Sequence, residues 1–175
     1  MQNCLINQMI IESNMKNKPF NLLLGDILND DSDLKIINCY EDEQGIAGDF
    51  KEYLEEITAP KKIIGYLPDG GEIIFLEADK PIVAVYLKCS ENLQVDMVFY
   101  EKVIVSIFAS LIRLELAGHT FKSIALPILF RKAITTIHEE AITVLITQAT
   151  RWLKTSRTSS IRYYVYHEND LNLWD

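Results

Sequence analysis

The sequence predicts an α/β fold, a three-layer sandwich in which a mixed central β-sheet is flanked by helices. Three observations carry this expectation. Residues 121–130 form a short apolar run between two long helical patterns, at 98–117 and 137–153, which is how a buried parallel strand reads. The turn sequence Pro68, Asp69, Gly70, Gly71 lies between apolar runs at 62–67 and 72–76, a hairpin signal that makes part of the sheet antiparallel. Strand and helix patterns otherwise mingle with no repeat and no low-complexity linker, so the 175 residues are read as one domain.

In chain order, residues 1–18 mix apolar side chains with Asn and Lys and read as a leader strand or a loose arm. Residues 20–24 are a strand stopped by Gly25 and Asp26. After a polar loop at 29–33, residues 34–39 resume as a strand, with Ile36 and Ile37 adjacent as expected where both faces are covered. Phe50, Tyr53, Leu54 and Ile57 fall at i, i+3, i+4 and i+7, which predicts an amphipathic helix over 49–57. Residues 82–88 are a further strand. The helix at 96–117 keeps Lys102, Ser106, Ser110 and Arg113 on one polar face. Thr136, with Glu139 three residues on, predicts a capping box for the helix at 137–153, and Arg151 and Lys154 suit its negative end. Ile137, Ala141, Val144, Leu145 and Trp152 line its buried face. A last strand spans 161–166 and a tail follows at 168–175.

A strand at 123–126 is expected to end at Pro127, which has no N–H to give to a ladder. Ligands of open α/β sheets sit beyond the carboxyl ends of such strands. Residues 127–133 are therefore expected to form one wall of a site.

Composition excludes several classes. A net charge of −8 and a pI near 4.9 disfavour nonspecific binding to nucleic acid or to a membrane surface. The longest apolar run, 103–116, is interrupted by Arg113 and Glu115 and falls short of a membrane span. Cys4, Cys39 and Cys89 are odd in number and widely spaced, and no basic-then-apolar leader opens the chain, so a cytoplasmic location is expected. His119, His138 and His167 have no metal-ligand spacing, and neither a nucleophile elbow nor a P-loop occurs, so neither metal nor cofactor is called for.

Against this background the segment F-K-S-I-A-L-P at 121–127, following a long helix, resembles the S-I-A-F-P strand of macro domains, the ADP-ribose-binding modules. Three further stretches agree in order and spacing. Gly25, Asp26 and Ile27 are similar to the family's G-D-I-T, whose aspartate accepts from the adenine amino group. Asn38 stands where the family has V-N-A-A-N, and Gly45, Ile46, Ala47 and Gly48 match G-V-A-G at the end of the first phosphate-side loop. The resemblance implies a macro-domain fold and a partner that is ADP-ribose or a related NAD-derived nucleotide. Backbone amides at a helix N-terminus, approached through glycines, form an anion site without lysines, so even an acidic chain can hold a diphosphate there. Pro127, Leu129, Phe130 and Arg131 would stand opposite.

Departures from the pattern bear on mechanism. The family's consecutive glycines are replaced by Tyr40, Glu41, Asp42, Glu43 and Gln44, and Asp49 replaces a small residue. The second phosphate loop, S-T-G-x-[FY]-G in the family, is here I-L-F-R-K-A at 128–133 and holds no glycine, so Arg131 or Lys132 would have to replace backbone donors. Three functions stay open: nucleotide binding, a protein-interaction module with a degenerate pocket, and an ADP-ribosyl hydrolase with an atypical loop. Little or no hydrolysis is expected.

Overall fold

The computed structural model describes residues 20–165. The arm at 1–18, the tail at 168–175 and the residues Cys4, Tyr166 and His167 lie outside the described residues. Eight strands are described: β1 (Phe20–Leu24), β2 (Leu34–Asp42), β3 (Gly45–Ala47), β4 (Lys61–Tyr66), β5 (Glu72–Leu76), β6 (Ile82–Leu87), β7 (Ser123–Pro127) and β8 (Ser160–Val165). Three helices accompany them: α1 (Lys51–Glu56), α2 (Met97–Leu116) and α3 (His138–Thr155), with short 3-10 turns at Ile27–Asn29 and Arg131–Ile134.

The strands form one mixed sheet in the order β1-β8-β7-β2-β6-β5-β4, with β3 attached to β2. From β1 to β6 the neighbours are parallel, while β5, β4 and β3 pair antiparallel. Alternation along each strand separates two faces. Leu34, Ile36 and Tyr40, with Val83, Val85 and Leu87, join the core beneath α2 and α3. Ile37, Cys39, Ile82 and Ala84 pack with Ile27 and with Leu54 of α1 on the other face. The result is the expected three-layer α/β sandwich.

Helix α2 starts where its sequence says it should. Asp96 is extended, and its side chain accepts from the Phe99 N–H at 2.8 Å, a cap worth about 0.5–2 kcal/mol. Its buried stripe, Tyr100, Val103, Ile104, Ile107, Leu111 and Leu114, contributes roughly 1.5–3 kcal/mol for each large side chain withdrawn from water. The polar stripe is not a solvated face throughout. Ser110 is fully buried, and the Arg113 guanidinium donates to the Ile64 carbonyl at 2.9 Å. A register shift between Ile63 and Gly65 interrupts the β4–β5 ladder, and this carbonyl turns to the helix instead.

The capping box expected at Thr136 does not form. Ile137 occupies the N-cap of α3 without a side-chain bond, and its own N–H donates to Ile134. The preceding 3-10 turn runs through a helical Thr135, and Thr136 continues it as a turn residue, so the helix begins one residue later than the capping box requires.

Gly65 permits the contact between α2 and β4. A Cβ there would lie 2.2 Å from Ser110 Oγ and 3.0 Å from an Arg113 guanidinium nitrogen. Gly65→Ala is expected to destabilise the fold by about 1–3 kcal/mol in urea unfolding. Adding Ser110→Ala should recover part of the loss, because it removes the atom that clashes first. Independent, additive effects would show that the two residues do not touch.

Candidate functional site

The site arises where two parallel strands part. β2 and β7 are in register only at Leu34 with Ile124 and Lys35 with Ala125. Their starts are clipped together: the Lys122 N–H donates to Asp33 Oδ2 at 2.8 Å, and the Asp33 N–H donates to Ser123 Oγ at 3.1 Å. Beyond that point β2 follows β6 as far as Tyr40, while β7 follows β8 as far as Pro127. Tyr40 pairs with Leu87 of β6 and also with Ala47 of β3, so β3 occupies the edge of β2 that β7 has left. A cavity of about 410 Å³ fills the crevice. It is lined from the ends of β1, β8, β7 and β2, a reach of three inter-strand spacings or roughly 14 Å.

At the β1 end the lining comes from Gly25, Asp26, Ile27 and Leu28. Asp26 caps the 3-10 turn by accepting from the Leu28 N–H at 2.9 Å through Oδ1. Its other carboxylate oxygen has no hydrogen-bond partner among the described residues. Behind the turn, buried Asp30 accepts from the Tyr164 hydroxyl, from the Arg162 guanidinium at 3.2 Å and from the Ser32 N–H at 2.7 Å. Arg162 also reaches Asp31 at 2.6 Å. Burial by itself raises the Asp30 pKa, but the bonds from Ser32, Tyr164 and Arg162 outweigh it and hold the carboxyl below its usual range. Burial and then the Asp30 bond push the Tyr164 phenol up. The network fixes both the turn and the Tyr164 ring, which lines the cavity.

Asn38 and Tyr40 supply the floor. Asn38 is 8% exposed, and its carboxamide makes no hydrogen bond to any described residue. Tyr40 is buried edge-on to Phe130, with ring centroids 5.6 Å apart, and Gly48 passes close above its ring.

The first wall is Gly48, Asp49 and Phe50. Gly45, Ile46 and Ala47 do not line the cavity. They form β3, in register with Asp42, Glu41 and Tyr40. The chain at 40–44 is therefore a hairpin arm and not a loop, closed where Asp42 Oδ1 accepts from the Gln44 N–H at 2.9 Å. Glu41, Asp42 and Glu43 are exposed and lie off the cavity. The helix expected over 49–57 is reduced to the six residues of α1.

The opposite wall is Pro127, Ile128, Arg131 and Lys132. Leu129 and Phe130 turn away into the core, 0% and 1% exposed. Phe130 takes the left-handed conformation (φ 57°, ψ 41°) without being glycine. That costs roughly 1–2 kcal/mol, which burial of its ring offsets. The Tyr100 hydroxyl donates to the Leu129 carbonyl at 3.0 Å, and Gln94 donates to the Lys132 carbonyl at 2.6 Å. Lys132 Nζ lies 3.1 Å from Glu91 and 3.9 Å from Asp49, so it links the two walls across the mouth.

Of the residues singled out from sequence, the fold brings Asp26, Ile27, Asn38, Gly48, Pro127 and Arg131 to one cavity. Gly45, Ile46, Ala47, Leu129 and Phe130 lie off it. Sequence reasoning did not place Tyr164 or Phe50 there, and it read Asp30 only as loop. Alternation with Tyr163, its neighbour on the opposite face of β8, was the available signal for Tyr164. Among the described residues no cluster of His, Cys, Asp or Glu is suited to a metal ion, and no helix is long and apolar enough to cross a membrane.

No protein-family model and no curated protein matches the sequence. Solved structures do match the fold. The Oceanobacillus iheyensis macrodomain with MES bound is 11% identical, with a TM-score of 0.58 over 96% of this chain and 94% of that one. The Trypanosoma brucei macrodomain in complex with ADP-ribose is 10% identical, with a TM-score of 0.60 over 89% of this chain and 67% of that one. The Oceanobacillus iheyensis macrodomain with ADP gives 10% identity and a TM-score of 0.57 over 96% and 94%. The fold is macro-domain-like.

The Asp30 network makes a pH-dependent contribution of known sign. A lowered carboxyl pKa stabilises the native state above the unfolded-state value, near pH 4, and that stabilisation is lost as pH falls through the folded-state value. Asp30→Asn should cost about 1–3 kcal/mol at neutral pH. The gap to the parent protein in urea midpoint should narrow at pH 3. A gap independent of pH would show that the Asp30 charge plays no part.

Proposed function

We propose that this macro-domain-like fold binds ADP-ribose or a related NAD-derived nucleotide in the crevice between β2 and β7. The observation that carries the proposal is Asn38. Its primary amide, in a residue 8% exposed, stands at the floor of an elongated cavity at the carboxyl ends of parallel strands, where a polar ligand can meet it. Adenine belongs at the β1 end, where Asp26 keeps one carboxylate oxygen for an exocyclic amine. The phosphates lie towards Asn38 and Arg131. Solved neighbours of the same fold hold ADP-ribose or ADP, which supports the class of ligand.

The anion is met differently from a glycine-rich cradle. Gly45, Ile46 and Ala47 pair with β2 and do not line the cavity, and the second wall has no glycine. Side-chain cations take that role, and a charge-assisted bond from Arg131 is worth roughly 1.5–3 kcal/mol. Binding proceeds without hydrolysis in this reading, because Glu41 and Asp42, the bases nearest the altered loop, lie off the cavity. A protein partner is the second reading. It is favoured by exposed Val98, Val105, Ile112 and Leu116 along α2, beside Ile63 and Tyr66 on β4.

Calorimetry tests the first reading. ADP-ribose should bind, and Asn38→Ala should weaken it about tenfold. Asp26→Ala should abolish preference for adenine over guanine nucleotides, whereas Arg131→Ala should weaken every phosphate-bearing ligand alike. If no adenine nucleotide binds, the cavity is not a nucleotide site. If one binds and none of the three substitutions matters, it binds elsewhere. Release of ADP-ribose from a modified protein, abolished by changing Glu41 or Asp42, would overturn binding without hydrolysis.

A further inference from the structure

Resting on the nucleotide reading of this cavity, we propose that the site prefers a dinucleotide whose end remote from adenine is positively charged. NAD+, with its pyridinium ring, is the type, and it should be preferred to ADP-ribose.

Both ligands carry adenine, two riboses and a diphosphate, so Asp26, Asn38 and Arg131 treat them alike. They differ at the distal sugar, which bears a neutral hydroxyl in ADP-ribose and a cationic ring in NAD+. With adenine at the β1 end, that sugar lies at the β2 end, against the wall of Gly48, Asp49 and Phe50. The chemistry of this wall is that of a cation site. The Asp49 side chain is 81% exposed and lines the cavity. Phe50 beside it offers an aromatic surface, whose face attracts a cation. Gly45–Ala47, which the family motif would place at an anion, pairs with β2 and does not line this wall.

Lys132 does not reverse the balance. Its ammonium is 3.1 Å from Glu91 and 3.9 Å from Asp49, so two carboxylates face one cation on this side of the mouth. A neutral hydroxyl gains little from these carboxylates, whereas a pyridinium is drawn to them. Asn38, neutral and buried, contributes hydrogen bonding that does not depend on the ligand's charge.

The test is calorimetry of the full chain with NAD+ and with ADP-ribose at one low ionic strength, for the parent protein and for Asp49→Asn and Glu91→Gln. Asp49 is solvent-exposed, so its substitution leaves the core untouched. NAD+ should bind more tightly than ADP-ribose by about two- to fivefold, the range of an exposed charge pair. Asp49→Asn should erase that preference by weakening NAD+ relative to ADP-ribose, and Glu91→Gln should reduce it. Added salt should shrink the preference in the parent protein. ADP-ribose binding as tightly as NAD+, or a preference unchanged in Asp49→Asn, would overturn the charge selection and leave the nucleotide reading intact. Binding of neither ligand would overturn both.

Discussion

The parting of β2 from β7 after two paired residues is the constraint on which the rest of the site depends. A parallel strand that leaves its neighbour exposes a row of backbone donors and acceptors, and these must be satisfied elsewhere. β2 meets the requirement by folding β3 back onto the vacated edge, and β7 meets it by ending at Pro127, which has no donor to lose. The clip between Asp33, Lys122 and Ser123 holds the opposite ends together, so the strands open like a hinge in one direction only. The position of the crevice, the loss of the glycine cradle to a ladder and the entry of Tyr40 into the floor all follow from this one divergence.

The second wall shows what replaces glycine when a chain must still turn sharply. Phe130 accepts the left-handed conformation because its ring is wholly buried and meets Tyr40 edge-on. Tyr100 then occupies the Leu129 carbonyl, and Val95 donates to the Ala133 carbonyl at 2.9 Å. These two carbonyls are thereby committed to the protein. The side chains that line the cavity from this wall are apolar Pro127 and Ile128 and the cations Arg131 and Lys132.

Much of the scaffold was legible in the sequence, and the reasons are specific. β1, β5 and α2 appear where apolar runs, turn signals and the polar face of the helix place them, since these signals are local and nothing tertiary opposes them. The F-K-S-I-A-L-P stretch announced β7 because a strand buried on both faces has little freedom in composition. Local signals failed where tertiary contacts override them. Thr136 carries the sequence of a cap but follows a turn that is already helical. The polar residues at 29–33 look like solvated loop, yet Asp30 is buried because its partner Arg162 lies on β8, far along the chain. Gly45–Ala47 matches a ligand-loop motif, but a three-residue match does not report whether its backbone is already paired. The motifs thus mark residues on both sides of the cavity, while Gly45–Ala47 lies in a ladder whose pairing no short motif reports.

The charge pattern follows from the same exchange of backbone for side chain. A cradle of amides holds an anion without adding net charge, so it suits an acidic protein and needs no counter-ions of its own. Side-chain cations differ, because an ammonium at the mouth of an unliganded crevice attracts carboxylates, here Glu91 and Asp49 on Lys132. Pairing of this exposed kind contributes little to stability. In the nucleotide reading proposed above its main effect is on discrimination, since a ligand at the β2 end meets opposed charges and not a uniform positive field. Specificity is a difference between affinities and is often set by what a site repels. With the Gly45–Ala47 backbone in the sheet, the nucleotide site proposed above is one in which the sign of the ligand's far end should matter.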